Sequence, residues 1–177
     1  MSMIIHSQEI ETRAAAQIAE LMCVAARTAP KGKGTDNLVT LIVDGEEKEK
    51  LSAEMRRVAQ ESGMDFFARD ANGIDKAVFV VLLGQKVKPM GVKPCGYCGY
   101  ADCAECAQGT GLCAISIGDL GIALGSAVNA AALQHADNRI MFSVGKAAIN
   151  IGLFDQEVKV AYGVPLSITG KNPFFDR

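Results

Sequence analysis

Five cysteines stand within the nineteen residues CGYCGYADCAECAQGTGLC, from Cys95 to Cys113. Thiolates are soft metal ligands, and two of them at C-x2-C spacing can face one centre because the intervening turn brings both sulfurs to the same side of the backbone. Cys95 and Cys98 have that spacing, and four residues then lead to Cys103, two to Cys106 and six to Cys113. Gly96 and Gly99 let the loop turn tightly and let backbone N–H groups face the sulfurs, a contact that tunes a cluster's potential. The run reads as a metal site, with an iron–sulfur cluster as its leading chemistry.

Three metal readings compete. Tetrahedral zinc with four cysteine ligands usually joins two C-x2-C knuckles through a dozen or more residues, because each knuckle sits on its own hairpin. Here only Gly99 to Asp102 separate the candidate knuckles. A [2Fe-2S] centre is suggested by Cys98, Cys103 and Cys106, whose spacing is that of plant-type ferredoxins, although its fourth ligand should come from a distant segment. A [4Fe-4S] cube held by Cys95, Cys98, Cys103 and Cys113 is the third, and it leaves Cys106 over as an alternative ligand. Disulfide frameworks belong to small secreted chains with weak cores. The N-terminus MSMIIHSQEIETR has no basic region, apolar stretch or cleavage site of an export signal, so a cytoplasmic location with reduced thiols is expected.

The composition narrows the function classes. The 177 residues are 49% hydrophobic, enough for a core in one domain spanning 1–177 that contains the 95–113 loop. Aromatics are 6% and the net charge is −2, against the basic, aromatic-studded surface that nucleic-acid binding requires. The apolar run from Leu112 to Leu133 is long enough to suggest a membrane span, but Asp119 and Asn129 interrupt it and Gly118, Gly121, Gly125 and Ser126 dilute it. A buried helix of a soluble domain is the expectation.

Helical and extended patterns alternate along the chain. Ile10, Ala14, Ile18, Leu21 and Ala25 recur at three- and four-residue steps, which predicts an amphipathic helix over 8–26 with Ser7 as its N-cap. Leu38–Val43 reads as a strand, 46–62 as a charged helix closed by Gly63, and Ala77–Leu83 as a second strand. The cysteine loop runs into a helix at about 116–134. Residues 140–144 are ambiguous between strand and turn, 157–163 read as the last strand, and 164–177 as a tail anchored by its two Phe residues.

On these segments the chain resembles a known fold family. AARTAPKGKGTDNLVTLIVDGEEKEKL is similar to the part of nitroreductase-type flavoproteins where a helix ends, an A-P-S-x-x-N-x-Q-P-W-like loop passes the flavin, and a strand and helix follow. DLGIALGSAVNAAALQHADNRIMFSVG and KVAYGVPLS resemble that fold's central helix and terminal strand. With C-x2-C-G-x3-C between these halves, the chain resembles prokaryotic ferredoxin-domain-containing proteins of unknown function. The resemblance implies an α+β nitroreductase-like fold, with a mixed sheet packed by helices and the cysteine-rich loop inserted before the central helix. It also implies an intertwined homodimer and a [4Fe-4S] cluster on Cys95, Cys98, Cys103 and Cys113.

The resemblance further marks Pro30, Lys31, Gly32 and Asn37 as a loop for FMN or another phosphate, altered from the flavoprotein pattern. Lys31 stands where the serine of A-P-S would be, Asp36-Asn37 stand near Gln-Pro, and the R-R-S-x-R element that helps hold the flavin phosphate is not found ahead of the first helix. Lys31 and Lys33 suit an anion through charge, and equally a solvated loop. Cys23 reads as a small buried hydrophobe, His6 and His135 have no catalytic partner pattern, and Asp119 reads as compensating the dipole of the central helix. With no acid–base constellation legible, the expected function is electron transfer or an oxidoreductase activity, flavin-assisted or not, with a redox partner protein. A metal-stapled dimeric interaction module is the alternative.

Overall fold

The computed structural model describes residues 3–175. Helix α1 (Ser7–Thr28) leads through a single 3-10 turn at Gly32–Gly34 into strand β1 (Leu38–Val43). Helices α2 (Gly45–Ser62) and α3 (Asp65–Lys76) then return the chain to strand β2 (Phe79–Lys86). After the cysteine loop and the short helix α4 (Cys103–Gln108) comes the long α5 (Ala114–Leu133). The short strand β3 (Asp137–Asn138), α6 (Phe142–Asn150) and β4 (Val158–Ser167) complete the order.

The four strands lie in the order β1-β2-β4-β3, and every pairing among them is antiparallel. The sheet is therefore not mixed as expected. The α2–α3 hairpin reverses the chain between β1 and β2, so these two strands pair in opposite directions, Leu38 against Gln85 and Val43 against Val80.

Alternation on β2 divides the core in two. Val81 and Leu83 face α1 and α5, joining Met22, Ala26, Leu120, Ala123, Leu124 and Ala127. Val80 and Leu82 face the other side, where Leu51, Met55, Ile74, Val144 and Phe174 pack. Each such large apolar side chain contributes roughly 1.5–3 kcal/mol on burial. The helix α5 is long and apolar enough to cross a membrane. In this fold its apolarity is used on one side by packing along α1 and the sheet. Its other face, with Gly118, Gly121, Ile122, Gly125 and Leu133, is exposed.

Element boundaries differ from the sequence reading where tertiary pairing sets them. The first helix starts at Ser7, with His6 rather than Ser7 as N-cap. β4 runs to Ser167 because Phe79 and Val80 offer partners to Leu166 and Pro165. α3 has no counterpart in the sequence reading, because Gly63 had closed the helical pattern. Gly63 does close α2, at φ 69°, and α3 begins two residues later. The ambiguous segment 140–144 holds a one-residue bridge, Met141 to Gly163, followed directly by α6.

Candidate metal centre

The cysteine loop folds on itself through local rules. Gly96 and Gly99 adopt φ 62° and 84°, turns that reverse the backbone around Cys98. Asp102 caps α4, its Oδ1 accepting from the N–H groups of Ala104 and Glu105 at 2.9 Å each, while Glu105 reaches back to accept from Ala101 N–H at 2.6 Å. This reciprocal capping makes a six-residue helix persist. Cys103 and Cys106 are one turn apart on it, so their side chains lie on one face. The ring of Tyr100 lies where side chains at Gly109 and Gly111 would be, since a Cβ on Gly111 would come within 2.1 Å of it. Those two glycines let the loop close on its own aromatic.

Five thiols converge as a result. Cys95, Cys98, Cys103, Cys106 and Cys113 line one closely packed pocket, about 320 Å³ when its open mouth is included, whose remaining wall includes Met90, Val92 and Ile115. Cys106 and Cys113 are buried, whereas Cys95, Cys98 and Cys103 are partly exposed. Cys106, the thiol left over by spacing, sits within hydrogen-bond reach of Cys98 and near Cys103 and Cys113. Burial raises its pKa, and the neighbouring thiols add to the rise. Among the described residues no three Cys, His, Asp or Glu side chains close on a point suited to a single ion. The five sulfurs share the wall of one pocket.

The cavity abuts the N-terminus of α5. Cys113 is the N-cap, its thiol makes no capping bond, and the first turn carries no acidic residue. The N–H groups of that first turn place positive potential beside the thiols, which suits an anionic group there. Behind it, Gln85 is 1% exposed and donates from Nε2 to Ser116 Oγ at 3.1 Å, while its Oε1 has no partner among the described residues.

Asp119 does not compensate the α5 dipole, because it lies beyond the helix's first turn. It is buried and accepts from Gly32 N–H through Oδ1 at 3.0 Å and Oδ2 at 3.1 Å. The loop after α1 is thereby pinned beside the cysteine cavity: a Cβ on Gly32 would meet Ile115 at 2.9 Å and Met90 at 3.6 Å, both cavity-wall residues. No local pattern in the sequence signals a bond spanning 87 residues. Asp119→Ala orphans the Gly32 amide and costs about 1–3 kcal/mol. At roughly 2–4 °C per kcal/mol this is a readily measured fall in melting temperature, with loss of hydrogen-exchange protection at Gly32. Asp119→Asn, which keeps an acceptor, restores most of both.

The other residues of that loop are used within the fold. Lys31 Nζ turns back onto α1 and donates to the carbonyls of Ala26, Arg27 and Ala29 at 3.2, 2.6 and 3.0 Å. This satisfies the orphan acceptors of the helix C-terminus. Pro30 is exposed, and Gly32 gives its amide to Asp119. Asn37 retains a buried Nδ2 without a partner among the described residues. Pro30, Lys31, Gly32 and Asn37 therefore share one loop, in which the Lys31 ammonium and the Gly32 amide already have partners within the fold. Cys23 is half-buried against the α1–α5 core, and burial raises its pKa. It is remote in sequence from the other thiols and does not line their cavity.

Comparison with known proteins agrees with this architecture. Residues 109–177 match a family described as "uncharacterized protein containing a ferredoxin domain" (DUF2148), a match that includes Cys113 and starts after the other four thiols of the run. An uncharacterized protein of Archaeoglobus fulgidus is 39% identical over 183 residues, covering 99% of this chain and 98% of its own. Among solved structures, the nitroreductase CinD from Lactococcus lactis superposes with a TM-score of 0.61 at 15% identity, over 91% of this chain and 84% of that one. A BluB-like flavoprotein from Clostridium difficile gives 0.58 at 18% identity, over 97% and 84%. A nitroreductase with bound FMN from Desulfitobacterium hafniense gives 0.54 at 15% identity, over 88% and 78%. The sheet order, the α1–α5 pair and these superpositions define a nitroreductase-like fold, and the chain belongs to the family of uncharacterized proteins containing a ferredoxin domain.

Proposed function

We propose that this chain is an iron–sulfur redox protein that carries single electrons on a [4Fe-4S] cluster held by Cys95, Cys98, Cys103 and Cys113. The observation that carries this reading is the convergence of thiols on one cavity at the N-terminus of α5. The donor set suits the group in its chemistry: soft thiols gathered on one pocket, with a helix N-terminus beside them to offset the negative charge of a thiolate-bound cluster. When bound, such a cluster supplies one-electron chemistry at a potential set by hydrogen bonds, burial and net charge. The chain's own residues do the rest. Met90, Val92 and Ile115 exclude water from the inner side, while the partly exposed Cys95, Cys98 and Cys103 leave the outer side open to an electron partner.

The Desulfitobacterium hafniense nitroreductase, which shares this fold, has FMN bound. In this chain the Lys31 ammonium and the Gly32 amide are engaged within the fold, so no step is assigned to a flavin. A homodimer is part of the proposal, with the uncharged outer face of α5, from Gly118 to Leu133, as the surface a second copy covers. A cytoplasmic setting keeps the thiols reduced.

The test is anaerobic purification followed by visible absorption and EPR before and after reduction. A brown protein with about four irons per chain, bleaching on reduction with a new paramagnetic signal, is expected. A colourless, EPR-silent protein containing zinc would show instead a metal-stapled interaction module. Flavin fluorescence released on denaturation would overturn the flavin-free reading.

A further inference from the structure

Across the sheet from α5, a second cavity opens between α3, the segment before α6 and the C-terminal tail. It measures about 600 Å³ including its mouth and is lined by Arg69, Asp70, Gly73, Arg139, Met141 and the Phe174–Phe175 pair. We infer that this is a binding site for a small organic carboxylate with an apolar body, recognised by the guanidinium groups of Arg69 and Arg139.

The argument begins with Asp70, only 5% exposed although it carries a carboxylate. Its two oxygens are committed: Oδ1 accepts from Arg69 Nε at 3.1 Å and Nη2 at 2.9 Å, and Oδ2 accepts from Ser143 Oγ at 2.6 Å. The pair fixes the Arg69 guanidinium on the cavity wall and cancels its charge. Arg139 is held by different means. Its Nη1 donates to the Phe174 carbonyl at 2.9 Å, and its guanidinium carbon lies 5.1 Å from the centre of the Phe175 ring. Among the described residues no carboxylate pairs with it. Among the described residues one positive charge thus remains in the cavity, oriented by a backbone carbonyl and an aromatic face.

A held guanidinium with remaining donors matches the planar fork of a carboxylate, which it binds through two parallel bonds. Beside it, Met141 and Phe174 are buried apolar groups that belong to the core of this side of the sheet, so part of the wall next to the charge is apolar. A concave site of several hundred Å³ with apolar walls and a few convergent polar groups is the usual form of a small-molecule pocket. The net charge selects a monoanion, and the Phe and Met wall selects an apolar body over a bare inorganic ion. The site is independent of the cysteine cavity, which lies on the α5 side, so its failure would leave the redox proposal untouched.

Benzoate serves as the probe, with benzamide as its neutral isostere and inorganic phosphate as the bare anion, each titrated into the full chain by isothermal calorimetry. Benzoate should bind saturably, about tenfold or more tighter than benzamide and than phosphate. Arg139→Gln and Arg69→Gln should each weaken it about tenfold or more, and Arg139→Lys should recover only part of the loss. Because Arg139 also secures the tail, Arg69→Gln, whose side chain is half exposed, keeps the test valid should Arg139→Gln unfold. Equal binding of benzamide, undiminished binding by Arg69→Gln, or no saturation at tens of millimolar would overturn the site. So would benzoate binding that appears only after Asp176→Asn, since Asp176 follows Phe175 in sequence and would then be the carboxylate the cavity takes.

Discussion

Replacing Cys95, Cys98, Cys103 or Cys113 singly with serine should lower bound iron about tenfold or more in protein purified without oxygen, whereas Cys106→Ser should retain iron near the wild-type level. The asymmetry is the informative part, because the structure puts all five sulfurs in one cavity. Cys113 brings its thiol from the N-cap of α5, a rigid position with N–H groups behind it, while Cys106 lies in mid-helix with its thiol 4.0 Å from the Gly111 carbonyl. Burial raises the pKa of the Cys106 thiol, which disfavours its thiolate form. Iron lost from Cys106→Ser and kept by Cys113→Ser would exchange their roles. Each ligand variant should also lose the stabilisation that a bound cluster confers on the folded state, visible as a lower melting temperature in anaerobic scans.

Gly145→Ala should be the most destabilising conservative change on the far side of the sheet. Helix α6 lies so close to β4 that a Cβ on Gly145 would come within 1.9 Å of the Ala161 carbonyl oxygen and 2.5 Å of the Tyr162 nitrogen. These are backbone atoms of a paired strand, so they cannot rotate away as a side chain would. The same approach is seen from the strand, where a Cβ on Gly163 would meet Val144 Cγ1 at 2.1 Å. Overpacking of this kind costs about 3 kcal/mol or more, which for a chain of this size lowers the melting temperature by roughly 6–12 °C. A variant melting within about 2 °C of wild type would mean that α6 does not lie on β4 at this distance. Because Ser143 of α6 donates to Asp70, the same substitution should also weaken benzoate binding in the second cavity.

Much of this chain was legible before any coordinates. The first helix, β1, α2 and its Gly63 cap and the central helix follow from periodicity and end signals that act within a few residues. The cysteine spacing marked the run whose five thiols meet in one pocket, and the flanking segments pointed to the nitroreductase-like fold. α3, α4 and β3 were missed because their signals are short or compete with stronger ones: a glycine cap two residues before α3, a cysteine-rich stretch that masks α4, and a two-residue strand set only by pairing with β4.

What only the tertiary structure decided is which groups meet. Spacing could not bring Cys106 into the cavity, turn Lys31 back onto its own helix, or set Asp119 against Gly32. Nor could it assemble Arg69, Asp70, Arg139 and the tail, since α3 was absent from the sequence reading. Sequence by itself determined elements and chemical types, because propensity, capping and thiol chemistry are local. The partners of buried polar groups depend on how elements pack, and a buried donor or acceptor takes whichever counterpart the fold delivers.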